Sequence, residues 1–543
     1  MRIHTRAAAL AACASLAAAA AAQPGPDAPL IIDRDRVDRL PAPAAAEQHP
    51  APTPQAPPPK IDAEAPATRI ARLVFDGVEV PARVAQAAKP FLGQPASRET
   101  LGKLAAAMSD AYGKANIALY TIQIPAQDLS SGVVHVQVAE GFIENIVING
   151  DTQGRHVELI KAYAERMAKQ RPLTRRVLER YLSLIRDIPG LKVDANLMRG
   201  FAPGGVVLVL TLKWAKDTLT AGLDNHGTEL LGVGEGAANA KLYHLFREGD
   251  ETDITAASAI DLKRYRYAAI SHSTPIGRDG LRLSVSGGYL TTRPRHTDIH
   301  GDAETAGVGL SYPIVRGYKK NLVASASIDG TNSNNAALGS LIATERTRAA
   351  RVALAYSDVE ADSTLTLGGS ASRGLDFAGA RVTAPLADTV FTKLTARAEY
   401  DRAIGKHLVL RVRGIGQYSW QPLPAAERMV LGGPDYGRAF DTAILTGDSG
   451  YAGSGELAWR PALPRNWMGS ELYGFVDGGS VHLLARGPFL PADYDLASAG
   501  AGVRLDYLQK GQLDLELAHS IDNPYPSYRD HWRFSVGWSY DLR

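Results

Sequence analysis

The chain has 543 residues, which is too long for one ordinary hydrophobic core, so several domains are expected. Its 59 basic and 57 acidic side chains give a net charge of +2, and this balance offers no electrostatic case for a nucleic-acid partner. Beyond the N-terminus no apolar run of about 18 residues occurs, so the sequence predicts no membrane-spanning helix.

The first 22 residues have the pattern of an export signal. Arg2 and Arg6 precede an Ala-rich apolar run, and the alanines at 20–22 suit a signal peptidase. The single cysteine, Cys13, also ends a short stretch that is similar to a lipoprotein box, so lipidation is the alternative. Cleavage after residue 22 would leave a mature chain without thiols, which fits an oxidising compartment.

Residues 23–67 divide into a charged part and a Pro-rich part. Within 30–40, apolar side chains alternate with charges, which predicts one short amphipathic helix. Residues 41–67 are rich in Pro and Ala and contain few large apolar residues. This composition predicts an extended, semi-rigid linker.

Two successive segments, 68–140 and 141–214, share the element order β-α-α-β-β. In the first, Leu101, Leu104 and Met108 recur at helical spacing and predict a buried helix face. The predicted elements are a strand ending at 76, helices 81–91 and 98–114, strands 117–124 and 132–138, then a strand 142–148, helices 155–168 and 174–186, and strands 191–198 and 205–213. The recurrence predicts a tandem repeat of α+β domains.

The stretch that joins the two repeats is IPAQDLSSGVVHVQVAEGFIENIVINGD, residues 124–151. It resembles the junction between the tandem POTRA domains of two-partner secretion transporters, the haemolysin/haemagglutinin secretion-activation family. The resemblance implies that these domains meet a protein client in the periplasm. The candidate contacts are Gln127 and Asp128 in the turn and Val134 and Val136 on the following strand.

From residue 215 to 543 the sequence consists of short runs in which apolar and polar residues alternate. Sixteen such runs predict sixteen strands, at 218–226, 236–246, 251–260, 263–273, 281–291, 304–315, 320–328, 346–357, 363–373, 389–401, 407–419, 451–461, 470–478, 497–507, 512–520 and 531–541. A soluble β-sandwich would also alternate, but it would need a second sheet against each inner face. Aromatic residues near the strand ends favour an antiparallel transmembrane β-barrel in the outer membrane, surrounded by lipid.

One Gly-rich segment interrupts this array between the eleventh and twelfth predicted strands. In the family that the chain resembles, a loop here folds into the barrel lumen and carries an Arg-Gly-Tyr/Phe tip. The resemblance assigns residues 421–450 to that loop. Tyr436 and Phe440 flank Arg438 at its tip, and the matching residues are Gly432, Gly433, Arg438, Phe440, Gly447, Asp448 and Gly450. Gly437 and Ala439 depart from the family pattern, and Ala439 restricts the backbone where the family has Gly.

The resemblance also implies a partner for Arg438. Phe475, Asp477 and Gly478 match an F-x-D-G strand of the family. By alternation, Phe475 and Asp477 face the lumen while Val476 faces lipid. We therefore expect the carboxylate of Asp477 to bind the Arg438 guanidinium through two hydrogen bonds.

Several patterns of enzymes and metal sites are weak in this sequence. Residues 447–450, GDSG, resemble a serine-protease nucleophile segment, but no matching histidine context accompanies them. His296 and His300 could approach a metal from a helix, but they lie in a polar loop sequence. No P-loop pattern occurs. The sequence therefore predicts neither an enzyme nor a cofactor or metal site.

The resemblance implies an outer-membrane transporter that secretes a large unfolded exoprotein, such as a β-helical adhesin, haemolysin or toxin. A plug helix at 30–40 and the inward loop would rearrange to open the lumen, without nucleotide hydrolysis. During biogenesis the barrel assembly machinery would insert the chain. The alternatives are an assembly factor of the same superfamily, a passive porin and an outer-membrane lipase, although no Ser/His pair suits a lipase.

Overall fold

The computed structural model describes residues 60–152, 156–296, 299–337, 340–383, 386–526 and 528–542. These residues form two compact units. One contains the described residues up to Ala215 together with Arg316–Tyr318, and the other contains the rest from Lys216 onward. The predicted signal peptide with Cys13 and the predicted plug helix lie outside the described residues.

The N-terminal unit begins with an α+β fold around a four-stranded sheet of order β1-β5-β6-β3. Its elements are β1 (Lys60–Ile61), β2 (Ala65–Arg69), β3 (Arg72–Asp76), α1 (Ala82–Ala88), β4 (Pro95–Ala96), α2 (Arg98–Lys114), β5 (Tyr120–Ile124) and β6 (Val133–Glu140). Strands β5 and β6 are antiparallel, whereas β1 runs parallel to β5 and β3 runs parallel to β6.

The prediction of a linker over 41–67 is wrong at its C-terminal end. Lys60 and Ile61 extend the first sheet by pairing with Gln123 and Ile124. Strand β2 then pairs with β4, although it contains Pro66. A proline is compatible with a strand that has only one neighbour, because its missing N–H group then leaves no ladder hydrogen bond unmade.

Helix α2 follows the predicted boundaries because its first turn is capped and one face is apolar. The Ser97 hydroxyl accepts a hydrogen bond from the Thr100 N–H group at 3.2 Å, which satisfies one unpaired donor of the first turn. Leu101, Leu104 and Met108 are fully buried, as their spacing predicts. The helix therefore covers one face of the sheet.

The second α+β fold repeats this plan around a three-stranded sheet of order β7-β9-β8. Strand β7 runs parallel to β9, and β8 runs antiparallel to it. Its elements are β7 (Phe142–Gly150), α3 (Glu158–Ala168), α4 (Arg175–Arg186), β8 (Leu191–Arg199) and β9 (Gly205–Trp214). Side chains from both helices and from β9 form one hydrophobic core, among them Ile160, Leu182 and Leu208.

The other unit is a closed barrel of sixteen antiparallel strands, as predicted. With the two short loop strands β21 and β22, the elements are β10 (Thr218–Asp224), β11 (Glu235–Tyr243), β12 (Glu251–Ala259), β13 (Tyr265–Ile276), β14 (Leu281–Thr292), β15 (Ile299–Arg316), β16 (Lys320–Ala337), β17 (Ser340–Val359), β18 (Ser363–Gly374), β19 (Thr392–Ile404), β20 (Leu408–Ser419), β21 (Met429–Leu431), β22 (Leu445–Gly447), β23 (Ser449–Trp459), β24 (Glu471–Leu483), β25 (Ala492–Tyr507), β26 (Gly511–Asp522) and β27 (Trp532–Asp541). The barrel closes where β10 pairs with β27. No helix in the described part of the chain has the length and apolar character to cross a membrane.

The two faces of the barrel wall differ in polarity. On β24, Leu472 is 45% exposed and Val476 is 54% exposed on the outer face. Tyr473, Phe475 and Asp477 alternate with them and are buried on the inner face. An apolar outer face and a polar interior are the pattern of a membrane barrel. The sandwich alternative is excluded because this sheet closes on itself.

Candidate functional site: a loop inside the barrel

The loop between β20 and β23 lies inside the barrel. It begins with a 3₁₀ turn at 425–427, continues through the antiparallel pair β21 and β22, and returns directly into β23. Its side chains contact inward-facing residues of β17, β19, β23, β26 and β27. Because these strands lie on different sides of the closed barrel, the loop occupies its lumen.

Glycines shape the tip of this loop. Gly432, Gly433 and Gly437 have φ angles of +97°, +95° and +86°, a region that side chains with a Cβ rarely adopt. A Cβ at Gly432 would lie 2.2 Å from the Asp441 carbonyl oxygen. Ala439 does not have a positive φ and is 2% exposed. The tip conformation therefore accepts alanine at the position where the sequence departs from the family pattern.

Arg438 is buried at the tip between two glutamates of the wall. Its Nη1 donates to Glu456 Oε2 at 3.0 Å and to Glu516 Oε2 at 3.1 Å. The guanidinium carbon lies 4.1 Å from the centre of the Phe475 ring, within the range of a cation–π contact. Arg438 is only 7% exposed, so its charge is stabilised mainly by these neighbours.

Asp477 holds the tip mainly through the loop backbone. Its two carboxylate oxygens accept the N–H groups of Gly437 at 3.0 Å and Arg438 at 3.3 Å. Ser498 donates its hydroxyl to the same carboxylate at 2.5 Å. The Arg438 Nε atom lies 3.5 Å from Asp477 Oδ2, an ion-pair distance, but makes no hydrogen bond.

The predicted two-hydrogen-bond contact between Asp477 and the Arg438 guanidinium is therefore wrong. The two oxygens of the short Asp477 side chain accept hydrogen bonds from main-chain N–H groups of the tip. The longer side chains of Glu456 and Glu516 reach the guanidinium instead. Both glutamates alternate with apolar neighbours on their strands, which could have placed them in the lumen. That both of them meet Arg438 depends on how the barrel closes.

Glu456 also belongs to a larger cluster of charges on the wall. Its Oε1 accepts from Arg411 and from Arg504, both at 2.6 Å. The same two arginines donate to Glu471 at 2.8 Å. Each buried carboxylate thus has more than one cationic partner. The guanidinium of Arg438 therefore contacts a network of the wall in which the carboxylates already have cationic partners.

Aromatic and small residues enclose the tip. Phe440 is fully buried and its ring centre lies 5.3 Å from that of Tyr528. Tyr436 is half-buried beside the same cluster, and its carbonyl accepts the Gly432 N–H group at 2.8 Å. A Cβ at Gly478 would lie 2.8 Å from the Leu496 carbonyl oxygen of the neighbouring strand. The structure thus brings all eight predicted loop and wall residues into one region.

The base of the loop is held by charges that the sequence analysis did not identify. The Glu427 carboxylate accepts from Arg351 on β17 at 2.7 Å and from Lys393 on β19 at 2.8 Å. At the other end, Asp448 forms an ion pair with Arg486 and accepts the Leu423 N–H group at 2.7 Å. Alternation along β17 and β19 could have placed Arg351 and Lys393 in the lumen, but not beside the loop.

The segment at 447–450 therefore has a structural part in the loop. The Asp448 carboxylate, fully buried, also accepts the Leu484 N–H group at 2.8 Å. Ser449 accepts the Ser419 N–H group through its hydroxyl at 3.0 Å. Within the described ranges, no group of three His, Cys, Asp or Glu side chains is arranged to hold a metal ion.

The candidate client contacts in the first domain need correction at two positions. Val134 and Val136 are fully buried in the core and cannot contact a client through their side chains. The Gln127 amide bonds both the N–H and the carbonyl of His135, at 2.7 and 2.8 Å. Hydrogen bonds from the backbone and then the hydroxyl of Ser130 lower the pKa of the exposed Asp128 carboxyl. Gln127 and Asp128 thus shape a turn at the surface.

Two family models match the chain. The model described as haemolysin secretion/activation protein ShlB/FhaC/HecB matches residues 204–505, which is more than half of the chain. The model described as POTRA domain, ShlB-type, matches residues 69–141. The first match covers most of the barrel with the inward loop, and the second covers the first α+β fold.

Individual proteins are similar over most of the length. The outer membrane transporter CdiB of Dickeya dadantii is 26% identical over 376 residues, which span 66% of this chain and 65% of CdiB. The heme/hemopexin transporter protein HuxB of Haemophilus influenzae is 22% identical over 464 residues, 80% of each chain. The solved structure of CdiB from Escherichia coli superposes with a TM-score of 0.77 at 20% identity, covering 95% of this chain and 98% of that one.

Proposed function

This chain belongs to the haemolysin secretion/activation protein family ShlB/FhaC/HecB, and from this premise we propose that it carries a large unfolded exoprotein from the periplasm to the cell surface. The observation that supports the proposal best is the loop in the lumen. Its tip cation is held by ion pairs and hydrogen bonds, which can exchange for water when the lumen opens. The tandem α+β domains precede the barrel, where a periplasmic client would arrive first.

Client capture is proposed to use the edges of the two N-terminal sheets. Strand β3 ends one sheet and β8 ends the other, so each has a neighbour on one side. An extended client can add a strand to such an edge through main-chain hydrogen bonds, which tolerate many sequences. Strand β6, which carries the predicted residues Val134 and Val136, pairs with β3 over its first half and with β5 over its second, and Gln127 bonds the His135 backbone between them.

Opening is proposed to require movement of the loop tip. Arg438 must leave Glu456 and Glu516, and Asp477 must release the two backbone N–H groups. Breaking a buried ion pair without replacement costs about 3–5 kcal/mol. Water entering the lumen, together with client binding, would offset that cost. Folding of the client outside the cell would give the process its direction without nucleotide hydrolysis.

The client is proposed to be a large secreted adhesin, haemolysin or toxin with a β-helical fold. The relatives named above are transporters, and the family match supports transport rather than enzymatic activity. The apolar outer face of the barrel would contact outer-membrane lipids, and the barrel assembly machinery would insert it during biogenesis. A passive porin would have no use for the N-terminal domains, so deletion of 60–214 would leave its conductance unchanged.

Export by Arg438→Ala tests the proposal. A large secreted protein from the same genome is co-expressed as the candidate client, and its amounts in the medium and in the periplasm are measured. We expect at least a tenfold loss of export, because without the Arg438 contacts the tip no longer holds the defined position from which the client moves it. The barrel should still insert, as shown by the change of electrophoretic mobility on heating. Normal export by this variant would contradict the proposal.

A further inference from the structure

The loop in the lumen divides into two parts that are held differently. Its root consists of the 3₁₀ turn at 425–427 and the paired strands β21 and β22. Its tip consists of residues 432–444. Gly432 and Gly433 stand where the root becomes the tip, and both have positive φ angles. The chain at this junction can therefore change direction without the constraint of a Cβ.

The root is fastened to the wall by Glu427. Its Oε1 accepts from Arg351 Nη2 at 2.7 Å, and its Oε2 accepts from Lys393 Nζ at 2.8 Å and from Arg351 Nη1 at 3.1 Å. The three side chains are between 1% and 3% exposed. The backbone carbonyl of Glu427 accepts from Lys393 at 3.2 Å and from Gln417 at 3.1 Å. Both the side chain and the main chain of this residue are thus fixed.

Glu427 is one of two described carboxylates that bond the cations of this cluster. Arg351 also donates to both carboxylate oxygens of Asp329, at 2.6 and 2.9 Å. Two carboxylates, Glu427 and Asp329, therefore face two cations, Arg351 and Lys393. Without Glu427, Arg351 and Lys393 would both lose a buried carboxylate partner, which is strongly unfavourable. The wall is thus built to receive an anion from the loop.

The second leg of the root is fastened elsewhere. Asp448 bonds the N–H groups of Leu423 and Leu484 and pairs with Arg486, beyond β24. The two legs are joined by the β21–β22 ladder and by the bond of Asp448 to Leu423, and Gln417 bonds the carbonyl groups of both Glu427 and Asp448. The tip, by contrast, is held by Arg438, by its backbone N–H groups on Asp477, by the pair of Asp441 with Arg533 and by the bond of Thr442 to the His226 carbonyl.

We propose that Glu427 is a positioning residue that keeps the root fixed, so that opening of the lumen moves only the tip. This inference rests on the proposed secretion function, because it specifies which part of the loop moves for the client. Loss of the Arg438 side chain would loosen the tip around this residue and leave the root in place. Loss of Glu427 would release the root itself.

Cysteine labelling separates these movements. The chain has one cysteine, Cys13, within the predicted signal peptide. Ala439→Cys reports on the tip and Met429→Cys reports on the root. These side chains are 2% and 5% exposed, so a cysteine at either position is labelled slowly until that part of the loop moves. A membrane-impermeant maleimide is applied to the full chain in outer membranes without client. We expect Arg438→Ala to speed labelling at position 439 about tenfold and to leave position 429 slow, whereas Glu427→Gln speeds labelling at 429 about tenfold.

Two further variants keep the test decisive. The double variant Glu427→Lys with Lys393→Glu restores the charge balance, and we expect it to return position 429 to slow labelling. Asp253→Asn, on β12, is the matched control because Asp253 bonds Asn239 and Thr255 of the wall. Slow labelling at 429 in Glu427→Gln, or fast labelling at both positions in Arg438→Ala, would overturn the inference. Because no client is added, either result is distinct from a failure of secretion.

Discussion

The Arg438 contacts at the tip of the inward loop and the Glu427 contacts at its root are ion pairs of opposite polarity. At the tip the loop provides the cation, Arg438, and the wall provides Glu456 and Glu516. At the root the loop provides the anion, Glu427, and the wall provides Arg351 and Lys393. If the tip were seated in the root site, like charges would face each other. The reversal therefore fixes which part of the loop lies against which part of the wall.

The two anchors also differ in how their wall partners are shared. Glu456 at the tip already has Arg411 and Arg504 as partners when Arg438 is absent. The root cations lose a balancing carboxylate when Glu427 leaves. This difference suggests that the tip can be released at a lower cost than the root. The following variants test that order, from the largest expected effect to the smallest.

Charge reversal at the tip is expected to have the largest effect. Arg438→Glu would place a fourth carboxylate beside Glu456, Glu516 and Asp477, so the tip could not stay in its site. We expect export of the co-expressed exoprotein to be abolished and sensitivity of the cells to large antibiotics to rise. Arg438→Lys keeps the charge and serves as the control, with an intermediate loss. Equal export by the Glu and Lys variants would contradict the tip assignment.

Neutralising Glu456 should lower the stability of the barrel wall more than it changes the position of the loop. Glu456→Gln removes the partner shared by Arg411, Arg438 and Arg504, and breaking such a buried pair costs about 3–5 kcal/mol. We expect a clear fall in the temperature at which the folded barrel loses its fast electrophoretic mobility. Glu516→Gln, which leaves the Arg411 and Arg504 pairs intact, should lower that temperature less. The reverse order would contradict the described sharing of partners.

Removing one root cation should have a smaller effect than removing Glu427. Lys393→Gln leaves Glu427 bonded to Arg351 through both carboxylate oxygens. We expect labelling of a cysteine at position 429 to rise by less than it does in Glu427→Gln. Labelling that rises equally in the two variants would show that Glu427 is held by its bond to Lys393 and that its bonds to Arg351 add little.

The smallest expected effect comes from Ser498. Its hydroxyl donates to Asp477, and loss of one hydrogen bond to a charged group costs about 1.5–3 kcal/mol at most. Ser498→Ala should retain most export and barrel stability because Gly437 and Arg438 still donate to Asp477. A loss of export as severe as that in Arg438→Ala would mean that Asp477 depends on Ser498 for its position.

The strand count could be predicted because alternation is a local property of each run. The lengths of β16 and β17 could not. The sequence predicts strands at 320–328 and 346–357, but β16 extends to Ala337 and β17 begins at Ser340. Residues such as those in TNSNN lack apolar alternation, yet they pair across the extended hairpin. The backbones of the two strands pair there although neither face is apolar, so the sequence shows no alternation that would predict the strands.

The site was predictable in its residues but not in its contacts. Arg438 and Asp477 were identified through a family resemblance, and they do meet. Glu456, Glu516 and Glu427 were missed because their contacts connect strands that are distant in sequence and meet only in the closed barrel. Val134 and Val136 were assigned to a client although alternation places them on the buried face of β6. For these two residues, the alternation of apolar and polar residues predicted the structure better than the resemblance did.

The central claim is that the Arg438 contacts keep the loop tip in the lumen. It is tested most directly by the conductance of the purified full chain in planar lipid bilayers, without client. We expect the unaltered protein to be mostly closed and Arg438→Ala to show open states at least tenfold more often, with Arg438→Lys in between. An Arg438→Ala record that cannot be distinguished from that of the unaltered protein would contradict it.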